Sequence, residues 1–285
     1  MHSFLEKRWK PLALITIVVF IASSGILAYN QVTTGSFMQR DIDLSGGKQI
    51  SIELASSPDL AAVRGALPGT NVQLISGIKP TLVIETVADA DEQEILSSLA
   101  SIGISGEVST RTIGPLLGEV FWKQAQLAIV LAFILMAIVI FILFRSPVPS
   151  LAVMLAALTD ITFALAVLHL FGVKLSLAVL AGALMLIGYS VDTDIVLTAE
   201  LLKTKGKDVS ERIRAAMKTG LTLTLTALAA IIAMYFVSGS EIIQQIAVVL
   251  LVGLAIDIPS TWLTNAGILR WWIQRKEKKY REERA

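Results

Sequence analysis

Four aspartates lie inside stretches of the sequence that are otherwise apolar enough to cross a membrane: Asp160, Asp192, Asp194 and Asp257. An aspartate at the centre of a membrane helix costs about 2.5–3.5 kcal/mol on insertion scales, so each one needs a reason to be there. Such carboxyl groups can exchange protons or hold a cation, which favours a proton or cation relay. The alternative is structural, with buried aspartates bonded to neighbouring helices.

Helix geometry separates the two aspartates in the stretch GYSVDTDIVL. Residues two apart point about 200° away from each other on a helix, so Asp192 and Asp194 cannot share one face. The face of Asp192 also carries Ala178, Ala181 and Gly188, and small residues mark close helix contacts in membranes. This pattern predicts that Asp192 faces the interior of the bundle, with Asp194 as the second candidate.

Two polar residues at the start of the fifth apolar stretch, at about 219–237, could extend the relay. Lys218 and Thr222 lie four residues apart, on one face of a helix. A threonine in a membrane helix commonly bonds the preceding turn of its own helix, which is the simpler explanation for Thr222.

Composition identifies the class of protein that these residues belong to. The chain has 285 residues, 54% hydrophobic and 16% charged, with a mean hydropathy of +0.71. Soluble domains carry about 25% charged residues, so this is a membrane protein. It has no cysteine and two histidines, which excludes disulfides, thiolate sites and a histidine metal cluster.

Six stretches reach the length of about 20 apolar residues that a bilayer requires. They lie at about 12–29, 125–144, 150–171, 176–198, 219–237 and 242–268. The first follows a basic start, as in a signal peptide, but no cleavage signal follows it, so we expect an uncleaved span.

Basic residues next to the spans predict the orientation. They cluster before the first span (Lys7, Arg8, Lys10), in the 199–218 loop (including Lys205 and Lys207) and after residue 269. We therefore expect both termini to be cytoplasmic in a multi-pass protein of the plasma membrane.

A large insert separates the first two spans. Its pattern alternates strands rich in Ile, Val and Thr with helices in the order βαββαβ, which is typical of a ferredoxin-like α+β domain. A loosely ordered external loop is the alternative. The expected fold is a six-helix polytopic membrane protein with this domain outside the cytoplasm. Its parts are the N-terminus with helix 1 (1–29), the domain (30–118), helices 2–6 (119–269) and a basic tail (270–285).

Two motifs and the order of the segments resemble the SecD/SecF family of protein-export membrane proteins, in the resistance–nodulation–division superfamily. The stretch DIDLSGG is similar to the Asp-x-x-Gly-Gly signature of the first external domain, through Asp43, Gly46 and Gly47. The stretch FRSPVPSLAVMLAALTD (144–160) is similar to the basic turn into span three, which ends in an aspartate.

A third motif lies in span four. GYSVDTDIVL resembles the family motif Gly-Tyr-Ser-x-Asn-Asp-Thr through Gly188, Tyr189 and Ser190. With the topology, the resemblance covers nearly the whole chain, and within the family it is to the SecF proteins.

The resemblance implies a non-enzymatic subunit that works with SecD beside the Sec translocon, a SecY-type channel. It implies that the outer domain engages unfolded preprotein, while proton or sodium flow through the intramembrane acids supplies the energy. No cofactor, metal or nucleic acid is expected, and the bilayer is the remaining partner.

The sequence departs from the family pattern at two positions. In an alignment without gaps the family's acid falls on Thr193, between Asp192 and Asp194, and Lys218 stands near the position of a family arginine. These departures suggest a divergent branch, with an archaeal branch as a candidate, and leave the acid that carries the ion open.

Three other functions are compatible with some of these features. A structural membrane module would stabilise a partner complex without transport. Half of a small-molecule or lipid exporter is disfavoured by the single half and the small external domain. An intramembrane protease is disfavoured because the Tyr-Asp and Gly-x-Gly-Asp settings of that class are missing.

Overall fold

The structure is a computed structural model that describes residues 2–75, 80–203 and 208–282. Residues 76–79 of the insert, Lys205 and Lys207 of the basic loop, and residues 283–285 of the basic tail lie outside this range. In chain order the elements are α1 (His2–Thr34), α2 (Ile42–Ser45), β1 (Gly47–Glu53), α3 (Leu60–Ala66), β2 (Asn71–Ile75), β3 (Thr81–Thr86), α4 (Glu92–Ser101), β4 (Glu107–Ile113), α5 (Pro115–Phe144), α6 (Pro147–Leu170), α7 (Leu177–Lys203), α8 (Val209–Val237), α9 (Glu241–Pro259), a π-helical segment (Ser260–Asn265) and α10 (Ala266–Glu282).

Six helices in the described part of the chain are long and apolar enough to cross a membrane. They are Leu14–Thr34, Pro115–Phe144, Pro147–Leu170, Leu177–Lys203, Val209–Val237 and Glu241–Lys276. The sixth consists of α9, the π-helical segment and part of α10. The predicted six-helix membrane fold is confirmed, and the basic segment after residue 269 continues the last helix to Glu282.

Local sequence signals set the turn between α5 and α6. The helix α5 ends at Phe144, and the next residue, Arg145, has a left-handed backbone with φ of 48°. Pro147 then begins α6, where its fixed φ suits the first helical turn and its missing N–H is not needed. The two helices are therefore antiparallel neighbours joined by a very short turn.

The insert folds as an antiparallel four-stranded sheet in the order β2-β3-β1-β4. With α3 and α4 between the strands, this is the predicted ferredoxin-like βαββαβ arrangement. Alternate strand residues point to opposite faces, and Ile50, Ile52, Leu82 and Ile84 form the core together with residues of the two helices. Asp59 and Asp91 cap those helices by accepting hydrogen bonds from backbone amides.

The opposite face of the sheet is polar and partly buried. It carries Gln49 on β1, Glu85 on β3 and Arg111 on β4. Gln49 contacts Glu241 at the start of α9, Glu85 contacts Lys174 between α6 and α7, and Arg111 donates to Gln49. The face that the domain helices leave free is thus the face that meets the bundle.

Within the bundle, α7 packs against α6, α8 and α9. Small residues allow the close approach to α9, because a Cβ added to Gly182 would lie 2.9 Å from Val249 Cβ, and one added to Gly253 would lie 2.2 Å from Leu186 Cδ2. These contacts fix the rotation of α7 about its axis.

Candidate functional site: an intramembrane acid cluster

Three of the four membrane aspartates lie together in the interior of the bundle. Asp160 on α6, Asp194 on α7 and Asp257 on α9 are all 0% exposed. Each comes from a different helix, so the cluster exists only when the three helices are packed.

Serine hydroxyls hold Asp160 from two sides. Ser190 Oγ on α7 donates to Asp160 Oδ2 at 2.6 Å, and Ser260 Oγ on the π-helical segment donates to Oδ1 at 2.8 Å. The carboxyl of Asp160 therefore ties α6 to both neighbouring elements.

Threonine hydroxyls and one amide hold the other two acids. Thr193 Oγ1 lies 3.1 Å from Asp257 Oδ2, and Thr261 Oγ1 lies 3.2 Å from Asp257 Oδ1. Thr261 Oγ1 is also 3.1 Å from Asp194 Oδ1, to which Asn265 Nδ2 donates at 2.5 Å. Asp194 and Asp257 therefore share one hydroxyl.

The number of hydroxyl hydrogens between Asp194 and Asp257 determines which hydrogen bonds can form. Thr261 has one hydroxyl hydrogen but lies within hydrogen-bond distance of two carboxyl groups. Both contacts become hydrogen bonds when one carboxyl is protonated and donates to the threonine oxygen. Asp194 Oδ2 is buried without a hydrogen-bond partner among the described residues. The cluster is suited to hold a proton and pass it between carboxyls.

The π-helical segment explains why three of its polar residues, Ser260, Thr261 and Asn265, contact this cluster. Pro259 lacks the N–H that a regular helix needs, and the next turn widens into a π-helix. A π-helix bonds residue i to i+5, so Ser260 and Asn265 lie on one face, whereas a regular helix would separate them by about 140°. The widened turn thus brings both donors to the acids.

The prediction that Asp192 faces the bundle interior is wrong. Asp192 is exposed, as are Met185, Gly188 and Tyr189 on the same face of α7. The buried face is that of Asp194. The small residue of α7 that lies against α9 is Gly182, next to Val249, whereas nothing approaches Gly188.

The prediction that Lys218 and Thr222 of α8 extend the relay is also wrong. Lys218 and Thr222 are exposed, and Thr222 Oγ1 donates to the Lys218 carbonyl at 2.8 Å. This is the bond to the preceding turn that the sequence allowed as the simpler explanation. Neither residue belongs to the buried hydrogen-bonded cluster described above.

Two members of the cluster were missed from the sequence, and a third was identified only as part of a motif. Thr193 was noted only as the position of the family's acid, and Asn265 was not considered. Ser190 of the family motif is buried against Asp160, whereas Gly188 and Tyr189 are on the exposed face. The signal for Asn265 was an amide six residues after Pro259 in an apolar span.

A second polar cluster lies where the sheet meets the helices, and we call it the junction. Glu85 forms an ion pair with Lys174 in the α6–α7 connection and accepts from Asn71 Nδ2 at 3.1 Å. On the neighbouring strands, Arg111 Nη2 lies 3.1 Å from Asp43 Oδ1 and donates to Gln49 Oε1 at 2.8 Å. Glu85 and Asp43 of the junction are thus each paired with a cation.

The side chains of Asp41 and Glu85 are hydrogen-bonded to each other in the junction. Burial, followed by the hydrogen bond to Glu85, raises the pKa of Asp41 to about 8. Burial alone would raise the pKa of Glu85, but hydrogen bonds from Asp41, Lys174 and Asn71 outweigh it and lower that pKa. The Asp41 carboxyl is therefore the donor and Glu85 the acceptor at neutral pH.

The glycines of the DIDLSGG stretch allow the chain to turn tightly against α5. Gly46 has a φ of +78°, and a Cβ on it would lie 2.7 Å from the backbone of Pro115. Only glycine fits this combination of backbone conformation and contact. The turn holds Asp43 beside Arg111 at the start of β1.

The geometry defines a class of protein: a multi-pass membrane protein with acids gathered inside its helical bundle and a ferredoxin-like sheet docked on one end. A profile of the family described as protein export membrane protein SecD/SecF, C-terminal, matches residues 96–275. The chain therefore belongs to the SecD/SecF family of protein-export membrane proteins.

Relatives place the chain among SecF proteins within that family. SecF from Pyrococcus furiosus is 38% identical over 280 residues, which cover 96% of this chain and 95% of that protein. SecF from Methanocaldococcus jannaschii is 36% identical over 282 residues, which cover 94% and 96%. The resemblance found in the motifs is confirmed.

A solved structure shows the same fold. The crystal structure of SecDF, a translocon-associated membrane protein from Thermus, matches with a TM-score of 0.78 at 18% identity. The match covers 95% of this chain, which spans 38% of that longer chain.

Proposed function

We propose that this chain is a SecF-type subunit that works with SecD to assist Sec-dependent protein translocation. Relatives at 36–38% identity over nearly the full length carry the name SecF, and the likeness to SecDF supports a SecD partner. The description of that SecDF as translocon-associated supports a place beside a SecY-type channel, where unfolded preprotein emerges.

The observation that carries the mechanism is the cluster of Asp160, Asp194 and Asp257. Three ionised carboxylates inside a membrane would be far too costly without cations, and their described donors are hydroxyls and one amide. Protons, or a cation such as sodium, neutralise them in turn. The gradient of that ion is the energy source, and the subunit needs no cofactor and has no enzymatic activity.

The helices that carry the acids also carry the groups that touch the sheet. Lys174 lies between α6 and α7 and contacts Glu85. Glu241 begins α9 and accepts from Gln49 Nε2 at 2.9 Å. The backbone of Leu175 accepts from the Asp41 amide at 2.9 Å. A shift of α6, α7 or α9 on protonation therefore moves the sheet directly.

The orientation is part of the proposal. Both termini face the cytoplasm, and the 30–118 domain lies outside the plasma membrane, between helix 1 (1–29) and helices 2–6 (119–269). The basic segment 270–285 stays on the cytoplasmic side. In this orientation the sheet meets preprotein after it leaves the channel.

The test compares two aspartates on one helix. Asp194→Asn removes a buried titratable group, whereas Asp192→Asn changes an exposed one two residues away. We expect Asp194→Asn to slow export of a Sec-dependent preprotein at least about tenfold, because positioned proton-transfer groups typically contribute about 10²–10⁴-fold. Asp192→Asn should export like the unmodified chain. Pulse–chase export in cells carrying only the variant gene measures both.

The alternative function gives a different outcome. If the chain is a structural module that stabilises a partner complex without transport, Asp194→Asn will export normally while deletion of the gene abolishes export. Immunoblotting of membranes for each variant checks that the protein level is unchanged.

A further inference from the structure

A small cavity of about 160 Å³ lies on the sheet side of the bundle, between the end of α1, the segment that follows it and the first turns of α5. Gln31, Arg40 and Gln126 contribute polar groups to its lining, and Phe37 and Trp122 contribute aromatic rings. None of these residues belongs to the acid cluster, so the cavity is separate from the site described above.

Two backbone hydrogen bonds fix the chain on either side of Arg40. The Leu175 amide donates to the Gln39 carbonyl at 2.7 Å, and the Asp41 amide donates to the Leu175 carbonyl at 2.9 Å. Successive side chains of an extended segment point to opposite sides. Asp41 is therefore buried in the junction, while Arg40 is exposed on the other side and reaches the cavity.

Aromatic stacking orients the guanidinium of Arg40 without using its N–H donors. Its central carbon lies 4.4 Å from the centre of the Trp122 ring, within the range of a cation–π interaction. The ring of Phe37 packs against the same indole at 5.9 Å. Among the described residues, no hydrogen bond or salt bridge engages this guanidinium, which carries five N–H donors. These donors remain available to a ligand.

The one carboxylate that the charge of Arg40 influences on α5 is already paired. It belongs to Glu119, whose Oε1 lies 2.9 Å from Lys123 Nζ. These two charges cancel each other, so Arg40 leaves the site with one positive charge. A phosphodiester, with one negative charge and two free oxygens, matches the planar fork of an arginine.

The cavity lies at the depth of the lipid headgroups. Gln31 is two residues after the first apolar stretch, at about 12–29, and Trp122 is three residues before the second, at about 125–144. Tryptophan is enriched at this boundary between hydrocarbon and water. The phosphates of a bilayer lie just outside its hydrocarbon core, which is the level of Arg40.

An apolar track leads from the cavity toward the centre of the membrane. Val130 and Ile134 follow Gln126 at intervals of four residues, on one face of α5. They are 55% and 48% exposed, so this face is open to lipid chains. A ligand that joins a phosphate to apolar chains uses both the cavity and the track, whereas a free phosphate uses only the cavity.

We propose that this cavity binds the phosphodiester headgroup of a bilayer lipid. Arg40 donates to the phosphate oxygens, Gln126 lies beside them, and an acyl chain runs along Val130 and Ile134. The inference goes beyond the proposed function, because the bound lipid ties the segment between helix 1 and the outer domain to α5.

Lipid titration of the full-length chain in detergent micelles tests the site, with bound lipid counted by native mass spectrometry. The probe is dioleoylphosphatidylglycerol. Arg40→Met keeps an unbranched side chain over Trp122 and removes the guanidinium. We expect the dissociation constant to rise at least about tenfold, as for loss of a hydrogen bond to a charged group. Lys123→Met removes a neighbouring cation that does not line the cavity and should bind the lipid like the unmodified chain.

A second pair of variants keeps the test decisive if Arg40→Met does not fold. Gln126→Glu places a negative charge in the lining, whereas Gln124→Glu places one two residues away, about 200° around the helix. Both positions are exposed on α5. We expect only Gln126→Glu to weaken lipid binding. Equal binding by all the variants and the unmodified chain would place the lipid elsewhere and overturn the proposal.

Other occupants of the cavity give different results. Inorganic phosphate that displaces the lipid as effectively as the lipid itself would identify a plain anion site and refute the lipid assignment. If Arg40→Met loses SecD from the purified complex but binds lipid normally, the arginine serves a protein interface and the proposal also fails.

Discussion

The acid cluster inside the bundle and the junction at its end both bury carboxyl groups, but the groups that contact these carboxyls differ. Glu85 and Asp43 of the junction lie against Lys174 and Arg111. The donors to Asp160, Asp194 and Asp257 are hydroxyls and an amide, which carry no charge.

This difference separates a fixed contact from an exchangeable one. A cation held by the protein keeps its carboxylate ionised, so the Glu85–Lys174 pair favours one docked position of the sheet. A carboxyl bonded only to neutral donors depends on a proton or an external cation for neutrality. Its charge can therefore change during a transport cycle, and the helices respond.

The largest expected effect comes from removing a cation of the junction. Lys174→Met leaves Glu85 buried without its charge partner, and breaking a buried pair on one side costs about 3–5 kcal/mol. We expect the free energy of unfolding to fall by about 3 kcal/mol or more, measured by denaturation in detergent micelles with tryptophan fluorescence.

The matched control for this variant is a surface pair on α5. Lys123 lies 2.9 Å from Glu119, with both side chains more than half exposed, and exposed pairs add little stability. Lys123→Met should leave the unfolding curve unchanged. Equal losses from both variants would show that Lys174 acts through something other than its buried position.

We expect an intermediate effect when a change of pH removes the proton of Asp41 and weakens the junction. The pKa of Asp41 is about 8 in the folded chain against an ordinary value of 3.8, so the folded state binds the extra proton between these values. The stabilisation is complete below about pH 4 and is lost as the pH rises through 8. The pKa of Glu85 is lowered. Protonation of Glu85 therefore weakens the junction only in acid, at a pH below the ordinary pKa of a glutamate.

Hydrogen exchange at the junction measures this dependence. The amides of Asp41 and Leu175 are bonded across the junction. We expect their protection, corrected for intrinsic rates, to fall at least about tenfold between pH 6 and pH 8. Asp41→Asn cannot lose a proton and should remove the dependence. The same pH dependence in that variant would assign it to another group.

The smallest expected effect is on stability at the acid cluster. Asp160→Asn keeps a neutral group of nearly the same shape between Ser190 and Ser260, whose hydroxyls can both donate and accept. We expect the free energy of unfolding to change by less than about 1 kcal/mol, as for exchange between satisfied neutral hydrogen bonds. A loss as large as that of Lys174→Met would mean that Asp160 is ionised and held by a charge, and the contrast between the two clusters would fail.

Local patterns were sufficient to predict the class of protein and most of its elements. The lengths of the apolar stretches predict six membrane helices, and the alternation of Ile, Val and Thr predicts the four strands. Both patterns depend on neighbours in sequence, which is why they could be interpreted without the fold. The family motifs added the relationship to SecF.

The inward face of α7 could not be predicted in the same way. Alanines and glycines occur on both sides of this helix, so composition alone does not distinguish Asp192 from Asp194. Which side is buried depends on where α9 packs, through Gly182 and Gly253. The junction was also beyond sequence analysis, because Lys174 and Glu85 are 89 residues apart and neither belongs to a periodic pattern.

The sequence by itself determined that this chain crosses a membrane six times, carries a ferredoxin-like domain and places four aspartates in apolar spans. These properties follow from composition and short-range periodicity. Only the tertiary structure decided that Asp160, Asp194 and Asp257 form one cluster and that Asp192 is outside it. The reason is that a helix sequence records its polar and apolar residues but not which neighbour each face will meet.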